Sequence, residues 1–249
     1  MQKINIVKIW SDSMNKENLK KILIDAKKWS VQTWEKFVFI SSGAVKLWKD
    51  KVESLWNNFN NFTKASLSSI WQKYLMRLYW DLLWNYEIVS EILIDDYANE
   101  KHLANTLSNL IENNVWVIVN HNDALHKIEI DNITNKSDND KNTIFLSKIL
   151  FKNLKWFTIE KVIYLTNTDW LLDENKKTVL WWKIYCDADK KHYIKYVKKS
   201  KNKIGTWWMI SKLDCSFSVL DFWVKKSIIA NAKNGLSCLI WWDNFTSFF

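Results

Sequence analysis

Two lysines stand where a chemical step could use them. Lys8 sits near the end of the apolar run INIVKI, and Lys212 follows the segment GTWWMIS. A lone ammonium at a strand end is ordinarily a solvated charge, but with a second on the helix behind a glycine-type loop it could supply the cations that phosphoryl transfer needs. Its transition state is stabilised mostly by positioning, by cations and by amide N–H groups. Further polar clusters are SSG at 41–43, NHND at 120–123, SDND at 137–140 and TNTD at 166–169. Ser, Asp and Asn of this kind also cap turns, so alone they mark loops as well as sites. Other chemistries find less support. His102, His121, His126 and His192 lack metal-ligand spacing such as HExxH. No GxSxG nucleophile elbow is present. Cys186, Cys215 and Cys238 are odd in number and widely spaced, without a CxxC pair. Such thiols point to a reducing, cytoplasmic compartment.

The elements that must position these groups alternate along the chain. Ile4–Ile9, Phe37–Ile40, Ile88–Ile94, Val115–Val119, Lys161–Leu165, Lys183–Cys186, Ser227–Ala230 and Leu236–Ile240 have strand character. Helical spacing covers Lys16–Lys28, Ala44–Phe59, Thr63–Leu83, Asn99–Glu112, Asn142–Asn153 and Ile210–Phe222. His126–Ser137 is polar and reads as a hairpin or loop. Short apolar strands between helices predict an α/β fold, a three-layer α/β/α sandwich around a mainly parallel sheet. No linker divides residues 1–249, so one domain is expected. Ligands of such sheets bind beyond the carboxyl ends of the strands. The segments Lys8–Ser13, Ser41–Trp48, Asn120–Asp123, Thr166–Asp173 and Gly205–Lys212 are therefore the ones to watch.

Composition narrows the classes. The chain is 48% hydrophobic and 25% charged, as globular proteins are. A net charge of +9 admits anionic ligands or nucleic acid. The Lys residues are dispersed, however, and no RNP or KH motif accompanies them. No apolar run of about 18 residues suggests a membrane span. The N-terminus lacks a signal peptide's apolar core and cleavage site.

Taken in order, VKIWSDS, ISSGAVKLW, SSIWQ (68–72), NHND, SDND, LTNTDWLLD, GTWWMISKL and the closing DNFTSFF resemble the motifs of the glutamate 5-kinase family. That family has the amino acid kinase fold. SSGA together with GTxxMxxKL is the most specific pair. The resemblance runs from about residue 4 to Phe249. It implies ATP-dependent phosphorylation of the L-glutamate side-chain carboxylate, the first step of proline synthesis, with Mg²⁺ held largely by the ATP phosphates. A carboxylate is already ionised at neutral pH, so no general base is required. By resemblance, Lys8 contacts the phosphates, Lys212 stabilises the transferring phosphoryl group, and Asp140 orients both lysines. The ATP site would comprise Lys8, Trp10, Ser11, Thr166, Asn167, Gly205, Thr206, Trp207, Trp208, Met209, Ile210, Ser211 and Lys212. The glutamate site would comprise Ser42, Gly43, Asp123, Asp138 and Asn139, and no protein-held metal site is implied.

The resemblance further implies a homo-oligomer, dimer or tetramer, in the short form without a C-terminal PUA domain. Departures are His121 for a usual Glu, Ser137 for Gly, and Asn167 for Asp. Alternatives are another member of the fold family, acting on acetylglutamate, aspartate, carbamate or UMP, or a basic, aromatic nucleic-acid binder.

The tryptophans carry a separate signal. The chain holds 18 Trp, 3 Gly and no Pro, whereas average usage would give about 17 Gly. Trp and Gly together number 21, a normal count for Gly alone. Trp10, Trp48, Trp71, Trp170, Trp207, Trp208 and Trp223 fall where the resembled family uses Gly. Trp181-Trp182 and Trp241-Trp242 resemble Gly-Gly turns, while Trp116 and Trp156 do not stand at glycine positions. The single Arg, Arg77, fits AT-rich codon usage, but such bias does not raise Trp. The expectation is a gene that reads UGA as glycine. If the tryptophans are real, the chain is a degenerate, inactive kinase.

Overall fold

The computed structural model describes residues 1–10, 13–41, 63–83, 87–94, 98–122, 138–167, 181–182, 203–239 and 245–249. Its strands are β1 (Gln2–Ile9), β2 (Lys36–Ser41), β3 (Val89–Ile94), β4 (Trp116–His121), β5 (Phe157–Thr166), β6 (Trp181–Trp182), β7 (Lys226–Asn231) and β8 (Phe245–Phe248). Its α-helices are α1 (Lys16–Thr33), α2 (Lys64–Leu83), α3 (Glu100–Glu112), α4 (Asp138–Asn153) and α5 (Lys203–Ser218). The strands form one sheet in the order β3-β4-β2-β1-β5-β7-β8-β6. Every described pairing is parallel except β7 with β8. The expected mainly parallel sheet between helical layers is therefore what the chain forms. The expected elements at Ala44–Phe59, His126–Ser137 and Lys183–Cys186 lie outside the described residues.

Near-continuous apolar runs mark strands covered on both faces, and two cores result. Ile4 and Ile6 of β1 pack with Leu103 and Leu107 of α3, Leu146 and Ile149 of α4, and Leu213 of α5. Val7 and Ile9 pack on the opposite side with Leu19, Ile22 and Leu23 of α1 and Leu75 and Tyr79 of α2. Side chains alternate along a strand. Lys8 therefore shares the face of Ile4 and Ile6 and points towards α4 and α5. Local signals start two of the helices. Asn15 accepts a hydrogen bond from the backbone N–H of Asn18 at 2.8 Å, and Asn99 from that of His102 at 2.9 Å.

Two expectations are corrected. The strand expected at Leu236–Ile240 does not form over its described residues, because Ser237–Leu239 make a 3₁₀ turn; Ile240 lies outside the described residues. Gly235 has φ 63°, and the N–H of Leu236 bonds the Asp25 carboxylate at 2.9 Å. Leu236, Cys238 and Leu239 are apolar because they are buried in the core beside α1. The last strand is β8, within the closing segment that resembled a strand. The second correction concerns α5, which starts at Lys203 and so carries Gly205–Met209 in its first turns rather than in a loop before it. Trp at 207 and 208 favours helix over Gly by several tenths of a kcal/mol per residue, so nothing there breaks the helix.

Chain reversals expose the tryptophan problem. Trp34 follows α1 with φ 61° and ψ 14°, and Trp223 closes the 3₁₀ turn Val219–Phe222 with φ 59° and ψ 27°. Both are left-handed cap positions, where glycine is the usual residue. A bulky side chain there costs roughly 1–2 kcal/mol. Their side chains recover little, being 80% and 77% exposed. Trp116 behaves oppositely. It is buried on β4 and stacks on Phe39 and Phe37, with ring centroids 5.5 and 6.4 Å away. Trp116→Ala should cost about 3–5 kcal/mol in urea unfolding, and a near-neutral result would remove its core role.

Candidate active site

The chain order places a reversal beside β1. From β1 the chain builds β2, β3 and β4 on one side, then returns through α4 to add β5 on the other. Crevices form at such switch points, at the carboxyl ends of the strands. Lys8 lies there, next to last on β1, opposite Tyr164 of β5. Its side chain is fully buried, as is that of Asp140 in the first turn of α4. Lys8 Nζ stands 3.4 Å from Asp140 Oδ1. An isolated buried ammonium is costly, so this carboxylate is what permits Lys8 to stay charged in the interior.

A second layer holds Asp140. The Thr143 hydroxyl donates to the Asp140 carbonyl at 2.5 Å and lies 2.7 Å from the Tyr164 hydroxyl. Burial, helped by the negative charge near Cys215 and Asp140, pushes the Tyr164 phenol well above its ordinary range. It therefore stays a neutral O–H. Burial likewise pushes the Cys215 thiol up to about 12, which leaves it without thiolate reactivity. The other Asp140 oxygen, Oδ2, is buried with no hydrogen-bond partner among the described residues. Sequence reasoning missed Thr143, Tyr164 and Cys215. The signals were the i+3 spacing from Asp140 and the shared strand face of Tyr164 and Thr166.

Lys212, on α5, is buried at 2% exposure and faces the same place. Its Nζ stands 3.3 Å from the centroid of the Trp10 ring, a cation–π contact. Trp10 follows β1, and its Nε1 donates to Asp140 Oδ1 at 3.2 Å. The indole thus lies between the Lys212 ammonium and the Asp140 carboxylate that meets Lys8. Thr166 ends β5 and is buried, and Asn167 beyond it is exposed. The Asn167 carbonyl accepts from Asn231 Nδ2, at the end of β7, at 3.5 Å.

Among the predicted residues, the structure brings together Lys8, Trp10, Asp140 and Lys212. Asp138 and Asn139 belong to the first turn of α4, and Gly205, Thr206, Trp207, Trp208, Met209 and Ile210 to the first turns of α5. Ser211 follows them, half-buried. Ser11, Ser42, Gly43 and Asp123 lie outside the described residues.

The end of β4 is tied to its neighbours. Asn120 Nδ2 donates to Gln72 Oε1 of α2 at 2.9 Å. The Gln72 amide in turn donates to Glu91 of β3. Burial pushes the Glu91 carboxyl up to about 7. Its folded pKa lies above the unfolded one, so the fold binds the extra proton. The stabilisation is present below the ordinary carboxylate range and is lost as pH rises through about 7. Glu91→Gln should flatten the fall in urea midpoint between about pH 5 and about pH 8; an unchanged fall would sink this assignment. For the ion pair, Asp140→Asn alone should cost about 3–5 kcal/mol by stranding Lys8, and adding Lys8→Met should restore most of it. Purely additive losses in the double variant would contradict the pairing.

No family model matches the chain. Curated relatives do. A glutamate 5-kinase of Streptococcus thermophilus is 26% identical over 211 residues, covering 79% of this chain and 74% of its own. A glutamate 5-kinase of Streptococcus pyogenes is 28% identical over 198 residues, covering 74% and 68%. Among solved structures, carbamate kinase from Giardia lamblia bound to AMP-PNP superposes with a TM-score of 0.64 at 14% identity, covering 100% of this chain and 98% of its own. The isopentenyl phosphate kinase of T. acidophilum gives 0.54 at 10% identity, covering all of both chains. The N-acetylglutamate synthase of Neisseria gonorrhoeae gives 0.62 at 13% identity, and this chain spans 59% of it. The protein therefore has the amino acid kinase fold, and the curated relatives it resembles are glutamate 5-kinases.

Proposed function

We propose that the protein is an ATP-dependent kinase that phosphorylates the side-chain carboxylate of L-glutamate to L-glutamyl 5-phosphate. The observation that carries this reading is the buried Lys8–Asp140 pair, with Lys212 facing it, at the carboxyl end of the sheet's switch point. The names of the curated relatives support the acceptor. A carboxylate oxygen would form the new bond to the γ-phosphorus, and the bond to the β–γ bridging oxygen would break, its electron pair leaving with ADP. No proton changes hands. Lys8 and Lys212 would meet the charge on the phosphoryl oxygens, where buried cations act strongly. Asp140 would hold Lys8 in place.

Ser42, Gly43, Asp123, Asp138 and Asn139 would grip glutamate, and Thr166, Asn167 and Gly205–Ser211 would line the nucleotide. Mg²⁺ carried on the ATP phosphates would supply further positive charge, and Asp140 Oδ2, buried without a hydrogen-bond partner among the described residues, is a carboxylate oxygen that could hold it. Among the described residues no cluster of three His, Cys, Asp or Glu forms a protein cage. A cytoplasmic homo-oligomer serving proline synthesis completes the reading. Among the described residues no helix is long and apolar enough to cross a membrane.

The two cations fit ATP phosphates, but the Trp10 indole between Lys212 and Asp140 does not. The assay therefore uses a variant carrying W10G, W207G and W208G alongside the chain as it stands. ADP release by the variant should depend on glutamate and exceed that with acetylglutamate, aspartate, carbamate or UMP. Adding Lys8→Ala or Lys212→Ala should lower kcat about 10²–10³-fold while the circular dichroism spectrum stays unchanged. Turnover that ignores glutamate would sink the proposal.

A further inference from the structure

Backbone geometry singles out particular tryptophans independently of any resemblance. Three non-glycine residues among those described have positive φ: Trp34, Asn114 and Trp223. Asn tolerates that region, but a bulky side chain there is an outlier. Both tryptophans end a helical segment as glycine normally does: the Trp34 N–H bonds the Ser30 carbonyl at 2.9 Å, and the Trp223 N–H bonds that of Leu220 at 3.2 Å. Neither indole is buried in exchange. Gly235 shows what a required glycine looks like in this chain. Its φ is 63°, and a Cβ there would meet Asp25 Oδ2 at 2.2 Å.

Trp10 fails for a different reason. Its indole takes the space between the Lys212 ammonium and the Asp140 carboxylate. A helix-borne cation and a buried ion pair at a strand end are a costly arrangement to assemble around a neutral ring. Trp116, by contrast, fills a core position among Phe37 and Phe39. One residue type thus occupies four positions with two incompatible sets of physical demands. A coding explanation unites them. Tryptophan has the single codon UGG, and UGA is its neighbour in the same codon box. If the gene's UGA codons specify glycine, reading them as tryptophan converts glycines selectively and leaves UGG tryptophans intact. The same reading accounts for 18 Trp beside 3 Gly.

We propose that positions 10, 34 and 223 are glycine in the protein made by its own host, read from UGA, whereas Trp116 is a true tryptophan. One consequence follows for the structure: with glycine at position 10, the space between the Lys212 ammonium and the Asp140 carboxylate is no longer filled by a ring.

The test is peptide sequencing by mass spectrometry of the protein purified from its host, over residues 10, 34, 116 and 223. Glycine is expected at 10, 34 and 223, with tryptophan at 116. Tryptophan at 10, 34 or 223, or UGG codons for them in the gene, overturns the proposal. A second measurement reads the backbone alone. In urea unfolding, W34G and W223G should shift the midpoint upwards relative to W34A and W223A, because alanine also loses the exposed ring but keeps a Cβ at positive φ. Equal midpoints for the glycine and alanine variants would overturn the structural basis. Glycine found at these positions in a protein without glutamate-dependent turnover would defeat the proposed function and leave this inference standing.

Discussion

A charge buried with its partner governs much of this molecule. Lys8 cannot remain ionised inside the sheet unless a carboxylate meets it, and Asp140 does so from the first turn of α4. That contact requires the end of β1 and the start of α4 to be neighbours. The helix that carries the chain from β4 across to β5 therefore begins at the switch point of the sheet. Thr143 and Tyr164 then fasten the α4 turn that carries this carboxylate to β5. The arrangement costs stability, and under the proposed function that cost supplies a desolvated, oriented cation for the phosphoryl group.

Local and global demands agree over most of the chain. Caps at Asn15 and Asn99, continuous apolar strands and two apolar cores all specify one fold. They disagree at particular tryptophans. Trp34 and Trp223 place the largest side chain in the backbone region that suits the smallest residue. Trp10 inserts a ring between charged groups. Conflicts of this sort usually mark strained functional sites. Here two of the three lie at exposed helix ends with no chemistry near them, so a strained site does not explain them and residue identity does.

Similarity to other proteins follows the same division. Solved structures of this fold match at 10–14% identity. Such a match survives because buried strands need only apolar residues of suitable shape. Their names span carbamate and isopentenyl phosphate. The likeness is therefore one of fold, and a fold by itself does not fix what is bound. The likeness to glutamate 5-kinases is higher, at 26–28% identity over about three quarters of the chain.

By itself, the sequence determined most of the strand and helix order and the mainly parallel sheet, and it singled out Lys8, Asp140 and Lys212 as the residues to place. Periodicity and strand-end motifs are local, and local patterns can be read along one dimension. It also determined that the tryptophans were anomalous, through the count of glycine. Only the tertiary structure decided that Leu236–Leu239 turns under α1 instead of extending, because burial from a distant helix makes residues as apolar as a strand does. Only it recruited Thr143 and Tyr164 behind Asp140, which lie 21 residues apart in the chain. And only it separated Trp116 from Trp34 and Trp223: side-chain burial and the sign of φ emerge when the chain is folded, and neither is written in the residue type.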